Sequence, residues 1–284
     1  MKVAVVGAEG QLGTDFVRIF TERGHEVSPL SHKQIDVTEP IVLSEVISEI
    51  RPEAVLNCAA FHRVDDCEDR PAEAFAVNAM GALNVARASE EVGAVGIFIS
   101  SDYVFDGFKQ QAYVEADRVH PLNVYGASKV AGELLVEQTC ARWMVIRVAS
   151  LFGVAGASGK GGNFVETILA KAKSGSPLTV VDDIRMSPTY TLDVAEGVES
   201  LFTQQAWGLH HLTNAGSVSW YGFASKILEL TGVEANLEAT LSSDRPTRAR
   251  RPANSALSTS NPGSDSLREW EDALKSYLSE KDHI

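Results

Sequence analysis

Tyr125 and Lys129 stand four residues apart in the stretch Tyr125-Gly126-Ala127-Ser128-Lys129. On a helix, residues at that spacing share one face. An ammonium beside a phenol favours the phenolate and draws the tyrosine pKa down, so the pair reads as an acid–base couple for a carbonyl or alcohol oxygen. Ser100-Ser101 close the preceding apolar run and place a hydroxyl where it can orient the same oxygen. A second set lies at the start of the chain, where Gly7-Ala8-Glu9-Gly10-Gln11-Leu12-Gly13 follows a Val-rich run. Glycines there permit a tight turn and close backbone approach, and the helix that follows offers free N–H groups to a pyrophosphate. Dinucleotide binding is the reading; an ordinary strand–helix turn is the alternative. After the second apolar run, Pro29-Leu30-Ser31-His32-Lys33 holds no carboxylate to take a ribose 2′-hydroxyl. Ser31, His32 and Lys33 suit a 2′-phosphate instead, which favours NADPH, with NADH as the second candidate. Asp36 and Val37 are placed beside the adenine.

Elements must carry these residues. Apolar runs alternate with amphipathic stretches: strands at 2–6, 26–30, 54–60, 95–100 and 143–150, helices at 12–23, 40–50, 72–92 and 121–140. That rhythm predicts a doubly wound α/β fold, a parallel sheet covered on both faces. Ligands of such sheets bind beyond the carboxyl ends of the strands, where these motifs fall. In the second half, helices are expected at 163–174, 191–206, 219–231 and 264–280, a strand at 177–181, and loops at 153–163 and 242–264. The expected division is a dinucleotide-binding domain over 1–152, to which 178–206 returns. A smaller C-terminal substrate-binding region takes 153–177 and 207–284.

The chain has 284 residues with 25 Lys plus Arg against 38 Asp plus Glu, a formal charge of −13. That balance argues against nucleic acid or an anionic membrane as a partner. Apolar residues at 44% and charged residues at 22% describe a globular chain. No apolar run is long enough for a membrane span. Cys58, Cys67 and Cys140 show no CxxC spacing, so neither a disulfide framework nor a zinc site is expected, and a reducing cytoplasm fits. Histidines, His210-His211 included, lack metal-ligand spacing. Trp220, Phe223 and Ile227 have the spacing of a core-facing helix. Arg245, Arg248, Arg250 and Arg251 form a basic cluster that suits a diphosphate or is a solvated loop. Asp65, Asp66, Glu68 and Asp69 read as a solvated helix start rather than a cation site.

Longer motifs carry a resemblance. Asn57-Cys58-Ala59-Ala60 with Val64-Asp65 and Glu68 is similar to NAAxxxVDxxE, and Ser100 to Gly107 is similar to STDYVFDG. Pro121-Leu122-Asn123-Val124-Tyr125-Gly126 is similar to PxNxYG, Asn163-Phe164-Val165 to NFV, and Arg251 to Leu257 to RPxxSxL. From Met1 to about Leu257 the chain resembles the extended short-chain dehydrogenase/reductases, and among them the dTDP-4-dehydrorhamnose reductases. The resemblance implies a Rossmann sheet and reduction of the 4-keto group of a nucleotide-activated deoxysugar, dTDP-4-dehydro-L-rhamnose in that group, by NADPH or NADH. By position, Gly7, Glu9, Gly10, Gln11, Leu12 and Gly13 would cradle the pyrophosphate. Asp36 and Val37 would border the adenine, and Ala59, Ala60, Phe61 and His62 the nicotinamide-side ribose. Tyr125 would be the general acid and Lys129 its partner. Ser101 stands where the group has Thr. Asp102, Tyr103, Ser150, Asn163 and Arg251 would face the sugar nucleotide. Two departures fall in the expected substrate cleft. Ser150 replaces the Trp of RxSWxYG, and DQxGxPTY stands as Asp183 to Tyr190 with Ile184 and Met186 for Gln and Gly. They keep two alternatives open: a nucleotide-sugar epimerase, and a non-catalytic NADP-binding regulatory subunit resembling the methionine adenosyltransferase β subunit. A 4,6-dehydratase would carry an Asp-Glu pair after the strand-end hydroxyl, where this chain has Asp102-Tyr103. The nucleotide-sugar is the expected partner, and a homodimer is compatible with the reading.

Overall fold

The computed structural model describes residues 1–156, 162–261 and 267–284. Val-rich and Ile-rich runs form the parallel strands β1 (Lys2–Val6), β2 (Glu26–Leu30), β3 (Ala54–Asn57), β4 (Val95–Ser101) and β5 (Trp143–Val148). With the edge strand Gly208–His211 they make a six-stranded sheet, in the order edge strand, β5, β4, β3, β1, β2. Strand order reverses at β1, with β2 on one side and β3 on the other. A crevice therefore opens beyond the carboxyl ends of β1 and β3.

Both faces are covered. Helix α1 (Gln11–Glu22) and the helix Thr191–Thr203 bring Phe16, Phe20, Val198 and Phe202 onto Val3, Val5, Ile97 and Ile146. On the other face Leu43, Ile47 and Val85 cover Ala4, Val6 and Val55, and Val136 meets Phe98. Each fully buried side chain of this size contributes roughly 1.5–3 kcal/mol of transfer free energy. A separate core gathers Phe152, Ile168, Tyr190, Phe223, Ile227, Trp270, Leu274 and Tyr277.

The packing departs from the expected division in two places. Leu178–Val181 pairs with Leu237–Thr240 and sends Leu178 and Val180 into the second core, so of 178–206 it is Thr191–Thr203 that lies on the sheet. Gly208–His211 belongs to the parallel sheet, although it falls within the 207–284 stretch expected to serve the substrate; its two histidines hide the apolar run that marks a buried strand. The helix expected at 72–92 is Pro71–Phe75 and Gly81–Glu91 joined by a π turn, Ala76–Met80. The last helix starts at Trp270 rather than 264, after a short strand at Leu267–Glu269. Of the loops at 153–163 and 242–264 and that helix, residues 157–161 and 262–266 lie outside the described residues. Among the described residues, no helix is long and apolar enough to cross a membrane and no acidic, His or Cys cluster could hold a metal.

Candidate active site

Tyr125 and Lys129 lie on the helix Val124–Thr139, whose start is fixed twice. Asn123 Oδ1 accepts the Gly126 N–H at 2.8 Å, and Glu68 Oε1 accepts the Val124 N–H at 2.8 Å. Gly126 is required where the helix enters, because a Cβ there would sit 2.1 Å from the Tyr103 carbonyl oxygen. Further along, Glu133 accepts Ser100 Oγ at 2.5 Å and takes Arg147 in a two-pronged pair at 2.9 and 2.7 Å. The helix bearing Tyr125 is thereby tied to the strand end bearing Ser101.

Ser101 ends β4 and caps the short turn Asp102–Val104, accepting the Tyr103 N–H at 3.2 Å. Burial pushes the Tyr125 pKa well above the ordinary phenol, a shift that the neighbouring Ser101 hydroxyl opposes. The expected depression by Lys129 is not found. Lys129 is 2% exposed, stands 4.1 Å over the Phe98 ring, and faces Glu133 and Cys58. Burial brings its pKa down to about 7, although both partners oppose that shift. Burial also drives the Cys58 thiol up to about 12, so it stays protonated.

The glycine loop fits a pyrophosphate. Gly7 has φ +78°, and a Cβ on it would lie 3.0 Å from Ala59 N. A Cβ on Gly13 would lie 2.2 Å from the Gly7 oxygen. The loop is thus drawn against the segment after β3, leaving no side chain between backbone and ligand. Gly10 precedes α1 without a side-chain cap, and the first turn carries no acid, so its N–H groups remain available to an anion. Gln11 Oε1 is buried there without a partner. Glu9 is exposed, so only its backbone lines the cradle. At the end of β2, His32 and Lys33 are exposed, whereas Ser31 gives its hydroxyl to Gln34 Oε1 at 2.9 Å. Asp36 takes the Thr38 N–H and hydroxyl, which hold its carboxyl below the usual range. Val37 is buried, with its carbonyl bonded by Asn84.

Ala59, Ala60, Phe61 and His62 run from β3 past the glycine loop toward the Tyr125 helix. Asn78, which the sequence reading passed over, sets their course. From the π turn it accepts the Phe61 N–H at 2.9 Å, donates to the Phe61 carbonyl at 3.1 Å and reaches Ser128 Oγ at 2.9 Å. A wholly buried Asn in an Ala-rich helix was the available signal.

On the substrate side, Tyr103 meets the Tyr125 ring edge-on at 6.0 Å between centroids. Arg251 pairs with both oxygens of Asp65, at 2.8 and 3.3 Å, while Arg248 pairs with Asp66 and Asp69. The basic and acidic clusters therefore complete one another, a pairing neither local reading anticipated. Arg251 is held by Asp65 rather than free for a diphosphate; Arg245 and Arg250 are exposed. Asn163 also has a different task. It is 7% exposed, caps the helix Phe164–Lys173 and donates to the Gly153 carbonyl and to Tyr277, inside the second core. Ser150 turns the chain from β5 into Leu151–Phe152 with φ +43°, a left-handed conformation that is costly for a side chain with a Cβ. Met186 is 1% exposed in the second core and not in a cleft; Ile184 lies two residues before it.

Residues 1–283 match the family model described as RmlD substrate binding domain. The spore coat polysaccharide biosynthesis protein SpsK of Bacillus subtilis is 37% identical over 282 residues, covering 99% of this chain and 98% of its own. The crystal structure of a dTDP-4-dehydrorhamnose reductase from Clostridium acetobutylicum aligns with a TM-score of 0.95 at 34% identity, over 99% of this chain and 100% of that one. That of the Bacillus anthracis dTDP-4-dehydrorhamnose reductase in complex with NADP aligns with a TM-score of 0.93 at 33% identity, over 98% and 99% of the two chains.

Proposed function

The chain belongs to the family of the RmlD substrate binding domain and of the dTDP-4-dehydrorhamnose reductases, and from that premise we propose that it reduces the 4-keto group of dTDP-4-dehydro-L-rhamnose with NADPH. The carrying observation is the meeting of Ser101 and Tyr125 at the carboxyl end of β4, with Lys129 buried one turn along the same helix.

The glycine loop would hold the pyrophosphate through Gly7, Glu9, Gly10, Gln11, Leu12 and Gly13, and Asp36 and Val37 would border the adenine. His32 and Lys33 would meet the 2′-phosphate. Ala59 to His62 would lie along the second ribose. When bound, the cofactor supplies the hydride for C4 of the sugar. Tyr125 supplies the proton: burial keeps its phenol neutral and ready to donate to the oxygen that becomes a hydroxyl. Ser101 orients that oxygen, and Lys129 provides positive charge as the phenolate forms. The ketone is thereby reduced to an alcohol and NADPH is oxidised. Tyr103 and Arg251 would line the sugar side, with the Asp102 carboxyl buried behind Ser101.

The test is Tyr125→Phe. Loss of a general acid lowers kcat by roughly 10²–10⁴-fold, with NADPH binding unchanged by fluorescence titration. A variant retaining full turnover refutes this assignment.

A further inference from the structure

Ser101 has one proton to give, and the structure shows where it goes. Its hydroxyl donates to Asp102 Oδ1 at 2.8 Å and accepts the Tyr103 N–H at 3.2 Å. Asp102 is 3% exposed, and its Oδ2 is buried without a partner. A hydroxyl that donates to a carboxylate keeps no proton for a carbonyl oxygen and offers its neighbours only lone pairs. In that state Ser101 offers the substrate oxygen no donor. With a proton on Asp102 the bond reverses. Asp102 donates to Ser101, the two lone pairs of Ser101 are filled by Asp102 and the Tyr103 N–H, and the Ser101 proton is free for the keto oxygen.

We propose that Asp102 is a positioning residue whose protonation turns the Ser101 hydroxyl from donating to Asp102 to donating toward the substrate oxygen. This rests on the reductase reading and deepens it. No covalent bond changes in the switch; one proton moves between solvent and the Asp102 carboxyl. Burial raises that carboxyl to about 6, against the opposing influence of the Ser255 and Ser101 hydroxyls. The ionisable groups around it are consistent with a neutral acid. Tyr103 and Tyr125 are both raised by burial and by Asp102, Arg251 beyond Tyr103 is paired with Asp65, and the thiol of Cys67 faces Tyr125.

The experiment compares wild type, Asp102→Asn and Asp102→Ala, with kcat and KM measured across pH. It is joined to an infrared difference titration of the substrate-free proteins. Asparagine is neutral and its amide donates to Ser101 at every pH. Wild-type kcat is expected to fall about tenfold per pH unit above the Asp102 midpoint. Asp102→Asn keeps kcat within about threefold of its acid-side value and loses that fall. Asp102→Ala lowers kcat about tenfold or more at every pH, with less change in KM. The wild-type minus Asp102→Asn spectrum shows a carboxylic-acid carbonyl band with a midpoint near 6. Because the band needs no turnover, its presence in a protein inert toward the sugar supports the Asp102 proton and refutes the reductase reading. An Asp102→Asn profile with the wild-type fall, an Asp102→Asn kcat as low as that of Asp102→Ala, or no such band overturns the proposal.

Discussion

At the scale of single residues, the site is governed by burial acting on groups of opposite sign. Tyr125 and Asp102 are shifted toward their protonated forms, and Lys129 is brought down to about 7, so burial moves all three in the direction of neutrality. This suits a site that must hold a proton ready for a developing alkoxide. It also makes Asp102 a stability determinant. Its folded pKa of about 6 lies above the ordinary 3.8, so the folded protein binds this proton more tightly than the unfolded chain does. The contribution is full below about pH 4 and is lost as pH rises through about 6; the displacement corresponds to about 3 kcal/mol. Asp102→Asn is therefore expected to be more stable than wild type at pH 8, with the advantage shrinking as pH falls to 4. Urea unfolding across that range measures it, and an advantage independent of pH contradicts it.

Among the elements, the Tyr125 helix and the 245–257 segment set the geometry by different means. The helix is pinned by buried polar bonds from Asn123, Glu68 and Glu133, where a lost partner leaves a desolvated group behind. The segment is held by charge. Arg251 and Asp65 are each about a quarter to a third exposed, so their pair is partly screened, and its value lies in holding that segment against the helix Val64–Asp69. Asp65→Ala and Arg251→Ala are expected to raise KM for the sugar nucleotide about tenfold each, with the double variant no worse than either; additive losses would show that they act separately. At the end of β2, Lys33→Ala is expected to raise KM for NADPH roughly tenfold or more, since a charge-assisted bond contributes about 1.5–3 kcal/mol, and to leave KM for NADH unchanged. Equal effects on both cofactors would remove Lys33 from the 2′-phosphate.

These elements also mark what was legible in the sequence. The glycine loop and the Tyr125–Lys129 pair could be read because their chemistry depends on spacing within one turn. The Asp65–Arg251 pair could not, since its members lie 186 positions apart and each cluster alone looks solvated. Asn78 was hidden because a π turn, not an ordinary helix, points it at Phe61. Gly208–His211 escaped because histidine carries no strand signal, although buried bonds accept it: His211 lies against Arg147 at 3.3 Å.

For the molecule as a whole, two cores divide the labour. The sheet and its helices present the glycine loop, β3 and β4 ends and the Tyr125 helix at one edge. The chain beyond the second core returns through Arg251, Pro252 and Ser255, with Gly107 left without a side chain because a Cβ there would lie 2.5 Å from Pro252. The site is thus assembled from distant parts of the chain, and the net charge of −13 does not oppose anionic ligands, because backbone N–H groups and a few cations act locally. The most direct test follows NADPH absorbance with dTDP-4-dehydro-L-rhamnose, beside the UDP- and GDP-4-keto-6-deoxysugars. The account predicts saturable oxidation of NADPH with the dTDP sugar, one alcohol formed per NADPH, and a loss of roughly 10²-fold or more in Tyr125→Phe. Protein that binds NADPH yet turns over none of the three sugars would contradict it.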